Sequence, residues 1–322
     1  MRVLVTGGAG FVGSNYTRMI LNNELSCELK NLTVLDKLTY AGNLSNLEPV
    51  FKDKRFQFIQ GDICDAILVN ALLADHDVIV HFAAESHVDR SIEGAQEFVN
   101  TNVLGTQTLL EASVQNKIKI FLHISTDEVY GSIDAGSWSE ESILAPNSPY
   151  SASKAASDLM VRAYVKTYGL DARITRCSNN FGPYQFPEKL IPLFVTNLID
   201  NLPLPIYGDG LNVREWIHVD DHCRAIQEVI NNGKSGEIYN VGGGTELSNI
   251  DICKLIISLM EKDESLMRFV ADRKGHDFRY SVNSSKILKE VGFKPAGDFE
   301  KRLEKTISWY ISNEGWWRAL RD

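Results

Sequence analysis

Nowhere do apolar residues run on for the ~18 positions that a membrane-crossing helix requires, although they make up 44% of the 322 residues. A cationic excess is missing too: 33 Lys and Arg against 42 Asp and Glu leave a net charge of −9. Nucleic acids and anionic membranes select basic surfaces, so neither is expected as a partner, though single arginines can still hold a phosphate. Cysteine is scarce. Cys27, Cys64, Cys177, Cys223 and Cys253 are an odd, scattered set without a CxxC pair, which reads as reduced core thiols and a cytoplasmic location. Met1 to Gly7 reaches glycine too early for the apolar stretch of a secretory signal. Low-complexity tracts, internal repeats and Pro/Ser linkers are lacking, and a charged fraction of 23% is that of an ordinary folded chain.

What is present is a rhythm. Short apolar runs at Val3–Val5, Leu32–Leu35, Phe56–Ile59, Asp77–Ala83, Ile118–Ile124 and Arg173–Cys177 alternate with helix-like stretches. Val12, Tyr16, Met19 and Ile20 fall on one helical face; Val99, Val103, Thr106 and Leu110 mark another, and Leu159, Arg162, Ala163 and Lys166 lie along a longer helix. Strand–helix alternation with right-handed crossovers gives an α/β fold, a doubly wound parallel sheet of the Rossmann type. After about residue 178 five of the nine prolines cluster, and helical patterns resume at 220–230, 249–261 and 299–311 with a short strand at 237–241. We expect residues 1–178 to form the dinucleotide domain and 179–322 a smaller α/β substrate lobe that exchanges strands with the main sheet.

Gly7, Gly10 and Gly13 make GxxGxxG between the first strand and the first helix. Glycines there permit a left-handed turn, close approach to a pyrophosphate and tight strand–helix packing; packing alone can also explain them. Asp36 ends the next strand, 23 residues after Gly13. A carboxylate at that place accepts hydrogen bonds from ribose hydroxyls and repels a 2′-phosphate, favouring NAD over NADP, unless it merely caps the strand. Asp62-Ile63 follows the third strand, where an adenine could be held or a turn simply closed.

Tyr150 and Lys154 form Tyr-x-x-x-Lys at a helix start. Residues four apart share a face, so the ammonium can favour phenolate and lower the pKa of the phenol toward that of a usable base; a surface pair is the plain alternative. Asp127-Glu128, after Ser125 and Thr126, offers an acid and a base beside one substrate if their surroundings separate their pKa values. Strand neighbours point to opposite faces, so the pair must sit on a turn or helix start to cooperate; otherwise it is a solvated acidic turn. In His218-Val219-Asp220-Asp221-His222 we expect Asp220 to be the N-cap, with His218 outside the helix, and no metal site. Trp309, Trp316 and Trp317 read as packing anchors.

The glycine motif, Asp36, Thr126 and the Tyr150/Lys154 pair together resemble the extended short-chain dehydrogenase/reductases. Longer strings narrow this: Leu35-Asp36-Lys37-Leu38-Thr39-Tyr40-Ala41-Gly42-Asn43, Ala83-Ala84-Glu85-Ser86-His87-Val88-Asp89-Arg90-Ser91 and Ser125-Thr126-Asp127-Glu128-Val129-Tyr130-Gly131. Asn179-Asn180-Phe181-Gly182-Pro183-Tyr184-Gln185-Phe186-Pro187-Glu188-Lys189 and Gly275-His276-Asp277-Phe278-Arg279-Tyr280 complete the set. From residue 1 to about 310 the chain resembles the dTDP-glucose 4,6-dehydratase family, in the nucleotide-sugar branch.

That resemblance implies a mechanism. Tyr150, helped by Lys154 and Thr126, takes the 4-hydroxyl proton while C4 gives hydride to NAD; Glu128 removes the C5 proton, Asp127 protonates the C6 hydroxyl, and hydride returns to C6. By motif position the cofactor groups would be Phe11, Val12, Asp36, Lys37, Leu38, Thr39, Asp62, Ile63, Ala83, Ala84, Ser86, Thr101, Tyr150, Lys154 and Asn180. The dTDP-sugar would meet Ser86, Thr126, Asn179, Lys189, Leu190, Pro205, Tyr207, Arg214, Asn249, Asp277, Arg279 and Tyr280. Arg214 suits a diphosphate and Tyr207 a stacked base, although a surface ion pair and core packing are their plain alternatives. The chain departs from the family pattern at Val12, usually Ile, and at Phe278, usually Arg. Rival readings are a 4-epimerase, a dehydratase of another nucleotide sugar, and a non-catalytic NAD sensor; the carboxyl pair, Asp36 and the intact Tyr150/Lys154 pair argue against them in turn. Long helices beginning near Gln96 and Tyr150, apolar on more than one face, predict a homodimer through a four-helix interface.

Overall fold

Strands buried on both faces want continuous apolar runs rather than alternation, and the N-terminal runs are of that kind. The computed structural model describes residues 1–321. In order come β1 (Arg2–Thr6), α1 (Phe11–Leu21), β2 (Asn31–Asp36), β3 (Phe56–Gln60), α2 (Ala66–Leu73), β4 (Val78–His81), α3 (Val88–Glu93), α4 (Gln96–Phe98) and α5 (Thr106–Gln115). Next are β5 (Ile120–Thr126), α6 (Pro149–Tyr168), β6 (Ala172–Cys177), β7 (Asn179–Phe181), α7 (Leu190–Ile199), β8 (Leu204–Tyr207), β9 (Val213–His218) and α8 (Val219–Asn232). The chain continues through β10 (Ile238–Val241), β11 (Thr245–Ser248), α9 (Asn249–Leu259), β12 (Met267–Val270), α10 (Ser285–Val291), α11 (Phe299–Ser312) and α12 (Glu314–Arg318).

Seven strands form a parallel sheet in the order β10-β6-β5-β4-β1-β2-β3. The order reverses between β1 and β4, which opens a crevice at the carboxyl ends of those strands. On one face a core joins Tyr16 and Met19 of α1 to Ile226 and Val229 of α8 and Ile287 of α10. On the other, Val69 of α2, Leu109 of α5 and Val161 of α6 pack together. This is a doubly wound, Rossmann-like sheet. A third core gathers α7, α9 and α11 around Trp216, Tyr310 and Trp317, beside small sheets β11-β9-β7 and β12-β8. β10 reaches the main sheet only after α8, pairing Ile238 with Ile174 of β6. Among the described residues no helix is long and apolar enough to cross a membrane.

Two local readings are corrected. The helix beginning near Gln96 is continuous only through a π-helical segment, Val99–Gly105. Its wider turn shifts the phase, so Val99 is exposed while Thr106 and Leu110 are buried. Asp220 is not the N-cap of α8. His218 is, its ring accepting the Asp220 N–H, which leaves Asp220 in the first turn near the positive end of the helix.

Candidate functional site

At the β1–α1 turn Gly7 has φ +69, and a Cβ there would lie 2.5 Å from the Ala83 backbone nitrogen. A Cβ on Gly13 would meet the Gly7 carbonyl oxygen at 2.4 Å. Gly10 precedes α1 with no side chain across the helix start, so the first N–H groups face the crevice uncapped. Asp36 Oδ2 accepts the Ala9 N–H and Oδ1 the Leu38 N–H, both at 2.8 Å. Burial raises the carboxyl pKa of Asp36 and the two N–H groups oppose the rise. Lys37 pairs with Asp62 at 2.8 Å.

One cleft of about 330 Å³ runs from these groups to the end of β5. Its walls include Gly7, Gly10, Phe11, Val12, Gly13, Asp36, Lys37, Thr39, Asp62, Ile63, Ala83, Ala84, Ser86, Thr101 and Asn180, with Thr126, Asp127, Glu128, Tyr150, Lys154, Asn179 and Lys189 at the far end. Leu38 is not among the wall residues; it enters through its backbone N–H on Asp36.

Ser148 starts α6 with a reciprocal capping box to Ser151, and Pro149 supplies a preset φ at the first helical position. Tyr150 therefore sits in the first turn and Lys154 one turn on, both buried. Lys154 Nζ donates to the Ile124 carbonyl at 2.8 Å. Burial brings its pKa down to about 8, against the pull of Asp158 and Cys177. The Tyr150 phenol lies well above its ordinary range, through burial first and then Glu128, Cys177 and Asp127. The expected lowering by Lys154 is thus not met: burial and the negative groups outweigh a cation engaged by a carbonyl.

β5 ends at Thr126, whose hydroxyl oxygen accepts the Glu128 N–H at 3.3 Å and caps a 3-10 turn over Asp127–Tyr130. The carboxyl pair consequently stands on a turn and not on a strand. Their surroundings differ. Burial, then Glu128 and Glu215, push Asp127 well up; burial also raises Glu128, but Arg273, Arg214 and Lys189 pull it back.

The remaining expected substrate residues lie outside the cleft wall, in the C-terminal part. Arg214 is buried over the Tyr280 ring at 4.5 Å and donates to the Asp277 carbonyl at 3.0 Å; Tyr280 donates to Asp277 Oδ2 at 2.6 Å. Asn249, at the start of α9, donates its N–H to the Asn212 carbonyl. Pro205 and Tyr207 are on β8, and the Tyr207 hydroxyl donates to Asp89 at 3.3 Å. Leu190 opens α7. Arg279 forks onto Glu246 at 2.7 and 2.9 Å, and Phe278 is exposed. Sequence reasoning gave no site role to Tyr40, Glu85, Cys177, Glu188 or His222 and read Trp316 as a packing anchor; all six line the cleft. His222 Nδ1–H donates to Asn180 Oδ1 at 2.9 Å. Among the described residues no three His, Cys, Asp or Glu are grouped to hold a metal.

A family model described as GDP-mannose 4,6 dehydratase matches residues 4–306. A dTDP-glucose 4,6-dehydratase of Streptomyces niveus is 53% identical over 322 residues, covering all of this chain and 96% of its own length. The crystal structure of DesIV, the dTDP-glucose 4,6-dehydratase of Streptomyces venezuelae, is 58% identical with a TM-score of 0.99, and covers 99% of this chain and 100% of its own; NAD is bound in it. The chain belongs to the dTDP-glucose 4,6-dehydratase family. The fold extends beyond that family: a UDP-glucuronic acid 4-epimerase of Bacillus cereus, 28% identical, still superposes with a TM-score of 0.91 over 97% of this chain and 99% of its own. What sets the dTDP-glucose 4,6-dehydratases apart must therefore be sought in side chains, not in the sheet.

Proposed function

We propose that the protein dehydrates dTDP-glucose to dTDP-4-keto-6-deoxyglucose, with NAD held in the cleft and regenerated in each turnover. The observation that carries this reading is the adjacent carboxyl pair of unequal surroundings, Asp127 buried and Glu128 partly buried, set on a turn beside Tyr150 and Lys154. Oxidation and reduction at one carbon need no such pair; elimination of water needs a base and an acid.

The cleft fits NAD. A glycine cradle that any Cβ at Gly7 or Gly13 would fill faces an uncapped helix start, and the Asp36 carboxylate occupies the place where a 2′-phosphate would be repelled. When bound, NAD accepts hydride from C4 and later returns it to C6. The chain's own groups do the proton work. Tyr150 takes the proton of the 4-hydroxyl, with the Lys154 ammonium and the Thr126 hydroxyl at the same end of the cleft. Glu128, flanked by three cations, is the more easily ionised carboxyl and removes the C5 proton, which the neighbouring ketone has acidified. Asp127 keeps its own proton and gives it to the C6 hydroxyl, which leaves as water. The two titrate as a coupled pair, and a protonated Asp127 also lightens the negative field that opposes phenolate at Tyr150.

On this reading residues 1–178 supply the cofactor and proton-transfer groups. Residues 179–322 supply the nucleotide grip, with Arg214 on the diphosphate and Pro205, Tyr207, Asn249, Asp277, Arg279 and Tyr280 around the nucleotide. The assembly is a cytoplasmic homodimer. Val99 and Leu104 on the helix before α5 and Leu159 on α6 are each about half exposed, at 54%, 51% and 52%. That apolar pair of helices suits a two-fold four-helix interface.

The test is incubation of the purified protein with dTDP-glucose, followed by proton NMR of the sugar. A 4-keto-6-deoxy product is expected. A C4 epimer, or dehydration only of a sugar on another nucleotide, would replace this reading.

A further inference from the structure

Behind the Tyr150–Lys154 face of α6 lies a buried polar chain that takes no part in the proton transfers. Asp158 stands one turn after Lys154, Arg176 is on β6 and Tyr130 closes the Asp127–Tyr130 turn; all three are almost wholly excluded from solvent. Arg176 Nε donates to Asp158 Oδ2 and its Nη1 to the Tyr130 hydroxyl, both at 2.8 Å. The Tyr130 hydroxyl donates in turn to Asn240 Oδ1 on β10 at 2.8 Å. The guanidinium also lies 4.8 Å from the centre of the Tyr130 ring, which stacks on Trp138.

An ion pair this deep is a poor way to gain stability, because apolar side chains of the same volume serve as well or better. What the guanidinium offers is geometry: a planar fork that bonds two partners in fixed directions. Its partners belong to the two elements that carry the chemistry. Asp158 is rigid with Tyr150 and Lys154, being on the same helix. Tyr130 is two residues beyond Glu128. The sheet holds only the start of the turn, where Ser125 pairs with Arg176 and Thr126 with Cys177; beyond Thr126 the turn leaves the sheet, its far end held by loop donors on the Val129 and Gly131 carbonyls and, toward β6 and α6, by the Tyr130 hydroxyl.

We propose that Asp158, Arg176 and Tyr130 are positioning residues, a hydrogen-bonded strut that fixes the Asp127–Glu128 turn against the Tyr150–Lys154 helix so that oxidation at C4 and elimination across C5–C6 share one substrate pose. The inference rests on the dehydratase reading. Cutting the strut at Tyr130 leaves α6 and β6 joined through Asp158 and Arg176, so the C4 step is spared; the turn loses its brace, and a displacement of about 1 Å suffices for a hundredfold loss in a step that depends on it.

The experiment is Tyr130→Phe, which keeps the ring and removes the hydroxyl. Its control is Tyr16→Phe, which removes an equally buried hydroxyl, bonded to Gln227 at 2.8 Å on the opposite face of the sheet. With dTDP-glucose, single-turnover reduction of bound NAD by Tyr130→Phe should stay within about twofold of the parent rate, while C5 deuterium entry and product formation slow at least about tenfold. Tyr16→Phe should change neither. Arg176→Lys, whose single ammonium can keep the ion pair with Asp158 but not the Tyr130 bond as well, is read in the same way if Tyr130→Phe does not fold. Equal slowing of both steps, or no slowing of elimination, would overturn the strut. A parent protein that makes no 4-keto-6-deoxy sugar would instead overturn the dehydratase reading.

Discussion

Lys154→Met isolates the energetic burden of a buried cation. Lys154 is buried and its pKa falls from 10.5 to about 8. At about 1.4 kcal/mol per pH unit, holding the charged form in the folded protein costs ~3 kcal/mol at neutral pH. Methionine matches the length without the charge and forgoes the Nζ bond to the Ile124 carbonyl, worth about 1 kcal/mol. The variant should therefore be about 2 kcal/mol more stable than the parent at about pH 7. The folded lysine binds its proton less tightly than the unfolded one, so between about 8 and 10.5 the unfolded chain holds more protons and parent stability rises with pH. Of that gain, about 2 kcal/mol should appear between about pH 7 and about pH 9.5, closing most of the gap to the variant. Paired urea unfolding curves at both pH values measure it: the groups that feel the Lys154 charge, His81, His123 and Cys177, titrate outside this pH window, and the rest cancel in the difference. Reduction of bound NAD by substrate should fall by about 10²–10⁴ in the same variant. A stability gap that is the same at both pH values would refute the reasoning, because Lys154 would then titrate as it does in water.

Asp127→Asn should let solvent deuterium exchange at C5 continue while product release nearly stops, and Glu128→Gln should slow the exchange itself, each by about 10²–10⁴; NMR of the sugar in D2O separates the two. Gly13→Ala places a methyl 2.4 Å from the Gly7 carbonyl, forcing α1 outward by about 1 Å; we expect a loss of about 1–3 kcal/mol in thermal unfolding and weaker NAD retention in gel filtration. Asp36→Ala should narrow the preference for NAD over NADP, which titration with both cofactors will show. Light scattering at micromolar concentration should give twice the monomer mass, and a charge at Leu159 should halve it.

The parts of this molecule that depend on near neighbours in the chain were readable from residues alone. The strand–turn–helix at Gly7–Gly13 is such a part, because left-handed turns and uncapped helix starts are local requirements. So is α6, whose capping box spans four residues. Val99 was misread because periodicity assumes a constant turn, and the π segment breaks that assumption. His218 caps α8 although its type is an uncommon choice, since the local backbone and not propensity decides which ring or carboxyl meets the free N–H groups. The upward displacement of the Tyr150 pKa was invisible for another reason: it is set by how deeply four side chains from three elements are buried together. Trp316 illustrates the limit. It reaches the cofactor cleft from the far end of the chain and bonds Asn46 at 2.9 Å, a contact across 270 residues that no spacing rule announces.

The late arrival of β10 has a consequence for the nascent chain. β6 is complete at Cys177, but its outer neighbour begins only at Ile238. At about 5–20 residues per second on the ribosome, 61 residues of delay leave the outer edge of β6 bare for roughly 3–12 s. A bare strand edge invites pairing with another chain, and charged side chains are a common deterrent. β6 carries two, Arg173 and Arg176, one on each side of the strand. In the finished protein both are buried and bonded; during synthesis they stand as gatekeepers on an edge that is still waiting for its partner.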